Sequence, residues 1–264
     1  MPSKAELKLW RSLKRRKGRE ASGLFLAEGP RQASEMVKRP QGTVALLHTA
    51  EALHRPAETA TLTEARRLGV RVEEVSSHVL DALSDTSTPQ PVLAVGRIPE
   101  WGWADVGAGL MLFLDGVQDP GNVGGLVRTA AALGAAGVAC LEGTADPWGP
   151  KAARAAAGAG LRIPVFRTSA QAALDQNRDR AWPVWVADAG GDCLTAGDVP
   201  EALALVLGGE GSGVSDLLRS QADRTVGIAM AKGVESLNVA ASGALLIDRI
   251  LNRSRGSGQS GAPE

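Results

Sequence analysis

Apolar residues recur along this chain in two rhythms, short continuous runs and helical stripes, and the two alternate. In the second half, runs at residues 110–114, 137–141, 163–166, 184–187, 203–207 and 226–230 read as strands. Between them, residues 123–133, 170–176 and 216–221 carry helical spacing, and the Ala/Gly-rich stretch 151–160 reads as a tightly packed helix entering a strand. The run at 110–114 has no polar interruption, as in a strand buried on both faces. Such alternation predicts an α/β unit with a mostly parallel sheet covered on both sides. The last helix begins after residue 237 and is apolar on two stripes, Ala240, Ala244, Ile247 and Leu251 on one and Val239, Leu246 and Ile250 on the other. It is expected to pack against its own sheet and a further surface, such as a second subunit.

The first half repeats the alternation on a smaller scale. Residues 3–13 spell a short amphipathic helix with Ser3 as its cap and Leu7, Trp10 and Leu13 at helical spacing. A strand and turn over 23–29, a helix at 30–39, strands at 44–47, 70–75 and 92–95, and helices at 62–68 and 79–83 follow. Residues 97–109 carry Gly and Pro without either rhythm and read as a linker. The expected organisation is therefore a small α/β domain over 1–96, a linker over 97–109, a larger domain over 110–253 and a flexible tail over 254–264.

A length of 264 residues suffices for two cores, and a formal net charge of zero gives no global sign of a nucleic-acid or membrane partner. The cations are unevenly placed, however. Lys4, Lys8, Arg11, Lys14, Arg15, Arg16, Lys17 and Arg19 crowd the N-terminus with Glu6 among them. The run Lys14, Arg15, Arg16, Lys17 and Arg19 suits either a solvated charged face or contact with a phosphate backbone. Cys140 and Cys193 are far apart and fit neither a disulfide framework nor a zinc site, so no metal is expected and a reducing cytoplasm fits. His48, His54 and His78 share no metal or triad spacing. With no apolar leader and no window near the roughly 18 apolar residues of a membrane helix, a secreted or membrane-spanning protein is not expected.

Three loops follow predicted strands at their C-terminal ends, where open α/β sheets bind ligands. In the first, Asn122 can cap the helix that Val123 begins, and Arg128 follows on that helix with a planar, permanently charged fork suited to phosphate. It serves either there or as an ordinary surface Arg. In the second loop, Gly209-x-Gly211-x-Gly213 lacks the dinucleotide fingerprint, and Glu210 would repel a pyrophosphate but tolerate a cofactor with hydroxyls and a positive charge. In the third, Ser236 and Asn238 stand at the start of the last helix, where unpaired N–H groups either take a side-chain cap or grip a ligand.

Taken together, the stretches Leu114-Asp115-Gly116-Val117-Gln118-Asp119-Pro120-Gly121-Asn122 through Arg128, Leu207-Gly208-Gly209-Glu210-Gly211-Ser212-Gly213, and Ile228-Ala229-Met230 through Glu235-Ser236-Leu237-Asn238 resemble the three motifs of the SpoU/TrmH RNA ribose 2′-O-methyltransferases, within the SPOUT superfamily. The first half resembles, more weakly, that family's L30e-like substrate-binding domain. The resemblance implies a C-terminal SPOUT domain threaded into a deep trefoil knot, a homodimer, and S-adenosylmethionine held by Leu207, Gly208, Gly209, Ile228, Met230 and Leu237. It further implies methyl transfer to a 2′-hydroxyl of structured RNA, ribosomal or transfer, with Arg128 acting on that hydroxyl and Asn122, Glu210, Ser236 and Asn238 around it. Two departures, Ala229 for the usual Pro and Ala240 for a small hydroxyl residue, remove no charged group. The alternative is a noncatalytic RNA-binding or assembly protein that keeps the fold.

Overall fold

The computed structural model describes residues 1–194, 199–233 and 236–256, with side chains to Asn252. Val234 and Glu235 of the third motif, and residues 257–264 of the expected tail, lie outside the described residues. The chain forms two compact units, one of residues 1–100 with 148–161 and one of 101–147 with 162–264. In order, the elements are α1 (Lys4–Ser12), α2 (Arg16–Ser22), β1 (Leu24–Glu28), α3 (Pro30–Val37), β2 (Thr43–His48), α4 (Pro56–Arg67), β3 (Val72–Glu74), α5 (Ser77–Leu83) and β4 (Val92–Arg97). Then come β5 (Leu110–Asp115), α6 (Pro120–Leu133), β6 (Gly137–Cys140), α7 (Pro150–Ala156), β7 (Val165–Arg167), α8 (Ala170–Asp179), β8 (Val184–Cys193), β9 (Leu203–Gly208), α9 (Asp216–Ser220), β10 (Arg224–Gly227) and α10 (Val239–Gly256).

In the first unit the strands lie in the order β1-β4-β2-β3, with β4 antiparallel to both neighbours and β2 parallel to β3. Trp10 and Leu13 descend from α1 into a core shared with Leu26, Leu47, Leu80 and Val95. Ser3 caps α1 by accepting from the Glu6 N–H at 3.2 Å while Glu6 accepts from the Ser3 N–H at 2.7 Å. The basic run behaves differently from its expected role. Residues 16–22 form a helix, and Arg19 is buried with its Nη1 donating to the Leu13 carbonyl at 2.7 Å. Arg19 therefore braces the α1–α2 turn and is not available to RNA. Lys14 donates to the Ser84 carbonyl at 2.6 Å, Arg16 pairs with Glu20, and Arg15 and Lys17 are exposed.

Residues 148–161 join the first unit because their side chains complete it. Trp148 meets the Phe25 ring edge-on at 4.9 Å, and Arg39 donates to the Leu161 carbonyl at 2.7 Å. Arg154 stands 3.6 Å from buried Glu28, whose other oxygen accepts from Ser84 Oγ at 2.8 Å and the Gln90 N–H at 3.1 Å. The expected linker is also structured. Ile98 donates to the Gly23 carbonyl at 2.7 Å, and Trp103 packs edge-on against Phe113 and Phe166 in the second unit.

The second unit is built on a six-stranded sheet, β10-β8-β9-β5-β6-β7, in which every paired strand is parallel. All of β5 is buried, and alternation sends Met111 and Phe113 to a core with Ala173, Leu174 and Leu218 of α8 and α9. The other face is covered by α6 and α10, which approach closely where a Cβ on Gly243 would lie 2.3 Å from Leu126 and one on Gly125 3.6 Å from Ala240. The chain order reverses between β5 and β9, so a crevice opens at their C-terminal ends. β8 is unusual. Its partner β10 pairs Thr225 with Val186 and then Val226 with Asp192, so residues 187–191 loop out of the ladder. Among the described residues no helix is long and apolar enough to cross a membrane, and no cluster of potential metal ligands occurs.

Candidate active site

The site is assembled from the chain that leaves β5, β8, β9 and β10 at one end of the parallel sheet. Asp115, the last residue of β5, ties the first loop to the second: its carbonyl accepts from the Gly209 N–H at 3.0 Å and its carboxylate from the Ser215 N–H at 2.7 Å. The glycines of the second loop serve close packing. A Cβ on Gly208 would lie 2.2 Å from the Gly213 backbone, and one on Gly209 would lie 2.3 Å from the Gly116 carbonyl oxygen.

The sequence placed the cap of α6 at Asn122, but the helix begins earlier, at Pro120, and Asp119 caps it by accepting from the Asn122 N–H at 3.0 Å. Pro at the first helical position needs no N–H partner and fixes that start. The Asn122 side chain is thereby left for other work. Its amide donates to the Glu210 carboxylate, and its Oδ1 accepts from Asn238 Nδ2 at 3.1 Å. Asn238, and not Ser236, caps α10, accepting from the Ala240 and Ala241 N–H groups at 2.9 and 3.3 Å. Asn238, Asn122 and Glu210 thus form one hydrogen-bonded chain that joins the three loops, with the carboxylate beside two helix N-termini whose fields favour negative charge.

Beside this chain lies a cleft of about 210 Å³. Its walls include all six residues picked for cofactor contact, Leu207, Gly208, Gly209, Ile228, Met230 and Leu237, together with Glu210 and Ser236. Arg128 is not among them. It is exposed on α6, makes no hydrogen bond or ion pair to another described residue, and lies about 120° round the helix from Asn122.

Two charged residues of the cleft were missed by sequence reading. Asp188, in the looped-out part of β8, meets Arg219 of α9 at 2.7 Å, and Arg219 Nε donates to the Val214 carbonyl at 2.9 Å. The Gly190 N–H at 3.0 Å and the Arg219 guanidinium hold the Asp188 carboxyl below its ordinary range, so it is ionised at neutral pH. No local motif surrounds either residue; only the loop-out of β8 brings Asp188 to the cleft. Cys140 takes no part in chemistry, since complete burial pushes its thiol up to about 12.

The donor set fits S-adenosylmethionine. Apolar walls from Leu207, Val226, Ile228 and Leu246 suit a purine and an aliphatic chain, and the carboxylate of Glu210 suits an ammonium or a sulfonium, while Asp188 is paired with Arg219. A pyrophosphate would meet the Glu210 carboxylate.

The family model described as the SpoU rRNA Methylase family matches residues 109–248. The chain belongs to this family. A second model, the MRM3-like substrate binding domain, matches residues 4–94. Among the family's named proteins, the chain is 32% identical over 248 residues to the 23S rRNA (guanosine(2553)-2′-O)-methyltransferase RlmP of Bacillus subtilis (strain 168), covering 92% of this chain and 94% of that one. Among solved family structures, a TrmH-family RNA methyltransferase from Porphyromonas gingivalis, described there as a putative one, superposes with a TM-score of 0.81 at 33% identity, covering 96% and 99% of the two chains. The SpoU methyltransferase AviRb from Streptomyces viridochromogenes, in complex with AdoMet, gives 0.83 at 26% identity, covering 97% and 100%.

Proposed function

We propose that this chain, an RNA ribose 2′-O-methyltransferase that uses S-adenosylmethionine, acts on 23S rRNA. The observation that carries the reading is the Asn238–Asn122–Glu210 chain beside the cleft, because it fixes three loops of separate origin around one point. The ribosomal substrate is supported by relatives such as the Bacillus subtilis protein, whose name specifies 23S rRNA.

Bound in the cleft, S-adenosylmethionine supplies a methyl group on a sulfonium. Leu207, Gly208, Gly209, Ile228, Met230 and Leu237 would hold the cofactor, and the apolar wall would exclude water from it. A ribose hydroxyl is a weak nucleophile, so charge developing on its oxygen needs stabilisation at close range. The motif resemblance assigns this to Arg128: an arginine guanidinium carries N–H donors and no acceptor, so it donates to the reacting oxygen and the adjoining phosphate, and the hydroxyl proton leaves to solvent as the methyl is transferred. Glu210 and Asn122 orient the ribose, Ser236 lines the approach, and Asn238 holds Asn122 in register.

The reading includes a trefoil knot and an L30e-like first unit. The close crossing of the β8 loop-out with β10 supports the knot, since a Cβ on Gly191 would lie 2.6 Å from the Val226 backbone. It also includes a cytoplasmic location and a homodimer, the latter supported by Leu245, which stands 44% exposed on α10. Arg15, Arg16 and Lys17 contribute nonspecific phosphate contacts.

Incubation of the protein with radiolabelled S-adenosylmethionine and unmodified 23S rRNA should place label in alkali-resistant dinucleotides. Label released as mononucleotides would mean base methylation and end the proposal. Arg128→Ala should abolish transfer with cofactor binding intact, and preserved turnover would remove Arg128 from its role.

A further inference from the structure

Part of the positive charge that the sequence concentrates at the N-terminus is tied up within the first unit. Of the run at 14–19, Arg19 is buried, Lys14 is bonded to Ser84 and Arg16 to Glu20, while Arg15 and Lys17 stay exposed. One turn earlier, Lys4, Lys8 and Arg11 are all exposed on α1 and make no hydrogen bond or ion pair to another described residue. Their spacing confines them to an arc of about 60° on the helix, opposite the buried face marked by Trp10. The stripe is mounted on a fixed support. Trp10 and Leu13 are 1% and 0% exposed, and Ser3 and Glu6 close a reciprocal cap at the N-terminus.

Glu6, the acidic residue of α1, leaves the stripe uncompensated. It points away from the three cations, to Arg71 at 2.5 Å and the Ser3 N–H. The bond from Arg71, then those from Ser3, pull its carboxyl down to about 2, so its charge is permanently matched from the other side.

We propose that Lys4, Lys8 and Arg11 form a phosphate-binding edge on α1 that takes one strand of the RNA substrate through successive backbone phosphates. This rests on the RNA reading given above. The cations rise along the helix in steps of about 6 and 4.5 Å, the order of the separation of neighbouring phosphates on one strand. A membrane surface fits less well. An interfacial helix needs an apolar strip to insert, and Leu9, the exposed leucine of α1, is about 100° from Lys8. With no exposed aromatic on the helix to stack a base, the edge contributes affinity and register without reading sequence.

The test is the salt dependence of binding to an unmodified 23S rRNA transcript, comparing the full chain with the triple variant Lys4→Gln, Lys8→Gln, Arg11→Gln. Each lost phosphate contact lowers the slope of log affinity against log salt by about 0.7–0.9. The triple variant should therefore show a slope shallower by about 2–3 and affinity reduced about tenfold or more near 0.15 M salt. Cofactor affinity and thermal midpoint should be unchanged, and the charge-preserving variant Lys4→Arg, Lys8→Arg, Arg11→Lys should bind as the unsubstituted protein does. An unchanged slope in the neutralised variant overturns the inference while leaving the RNA reading in place. Unchanged rRNA binding with loss of binding to phosphatidylserine vesicles also overturns it, in favour of a membrane surface. Failure of the unsubstituted protein to bind or methylate the transcript overturns both.

Discussion

Gly208 and Gly211 stand three residues apart in one glycine-rich loop, yet their surroundings demand different things of them. A Cβ on Gly208 would lie 2.2 Å from the Gly213 carbonyl carbon and 2.4 Å from the Val214 nitrogen, both backbone atoms that cannot rotate aside. A Cβ on Gly211 meets nothing within 4 Å. Gly208→Ala must then open the loop that walls the cleft, and cofactor affinity should fall about tenfold or more, the equivalent of about 1.4 kcal/mol. Gly211→Ala should bind the cofactor within about a factor of two of the parent, since no contact opposes it and Ala has less freedom to lose. Titration calorimetry reads both, and equal effects would show that the loop does not have this geometry. The sequence displayed the glycines but not this distinction, because what Gly208 must avoid is set by the fold of the loop back on itself. The same limit hid Asp188 and Arg219, whose 2.7 Å pairing spans two elements and obeys no spacing rule.

Elements were legible wherever periodicity or a continuous apolar run defined them, and their edges were not. The strands at β5 and β9 extend one residue beyond the apolar run because Asp115 and Gly208 still pair across the sheet. α4 starts six residues before its first recognised apolar position, at Pro56, since a polar first turn carries no stripe. The start of α6 matters most for chemistry, because moving the cap from Asn122 to Asp119 separates a structural residue from a site residue. Asp119→Ala should cost about 1 kcal/mol of stability in urea unfolding, the ordinary value of a lost N-cap. Asn122→Ala should leave the helix cap in place, cut the link between Asn238 and Glu210, and lower the rate of methyl transfer more than it lowers stability. If Asn122→Ala instead costs the stability and Asp119→Ala the rate, the roles are the reverse of those drawn here.

At the scale of the molecule, the alternation of strands and helices led to an expectation of two α/β units divided by a linker over 97–109, and nothing in that alternation announced that residues 148–161 belong with residues 1–100. That grouping rests on pairs more than 100 residues apart in sequence, Trp148 with Phe25 and Arg154 with Glu28, and no local pattern announces such pairs. It has a consequence for stability. Trp148 is 8% exposed and meets Phe25 of β1 edge-on, so its loss leaves a cavity against the four-stranded sheet. Trp148→Ala should destabilise by about 3 kcal/mol or more, in the range of large-to-small changes at buried aromatics. Protein units open as cooperative pieces, so hydrogen exchange can locate the damage. Amides of β1, β4 and β2 should lose protection, although Trp148 follows β6 in the chain and β5 and β6 should keep theirs. Loss of protection concentrated in β5 and β6 would place the segment with the six-stranded sheet and undo the division of the chain into these two units.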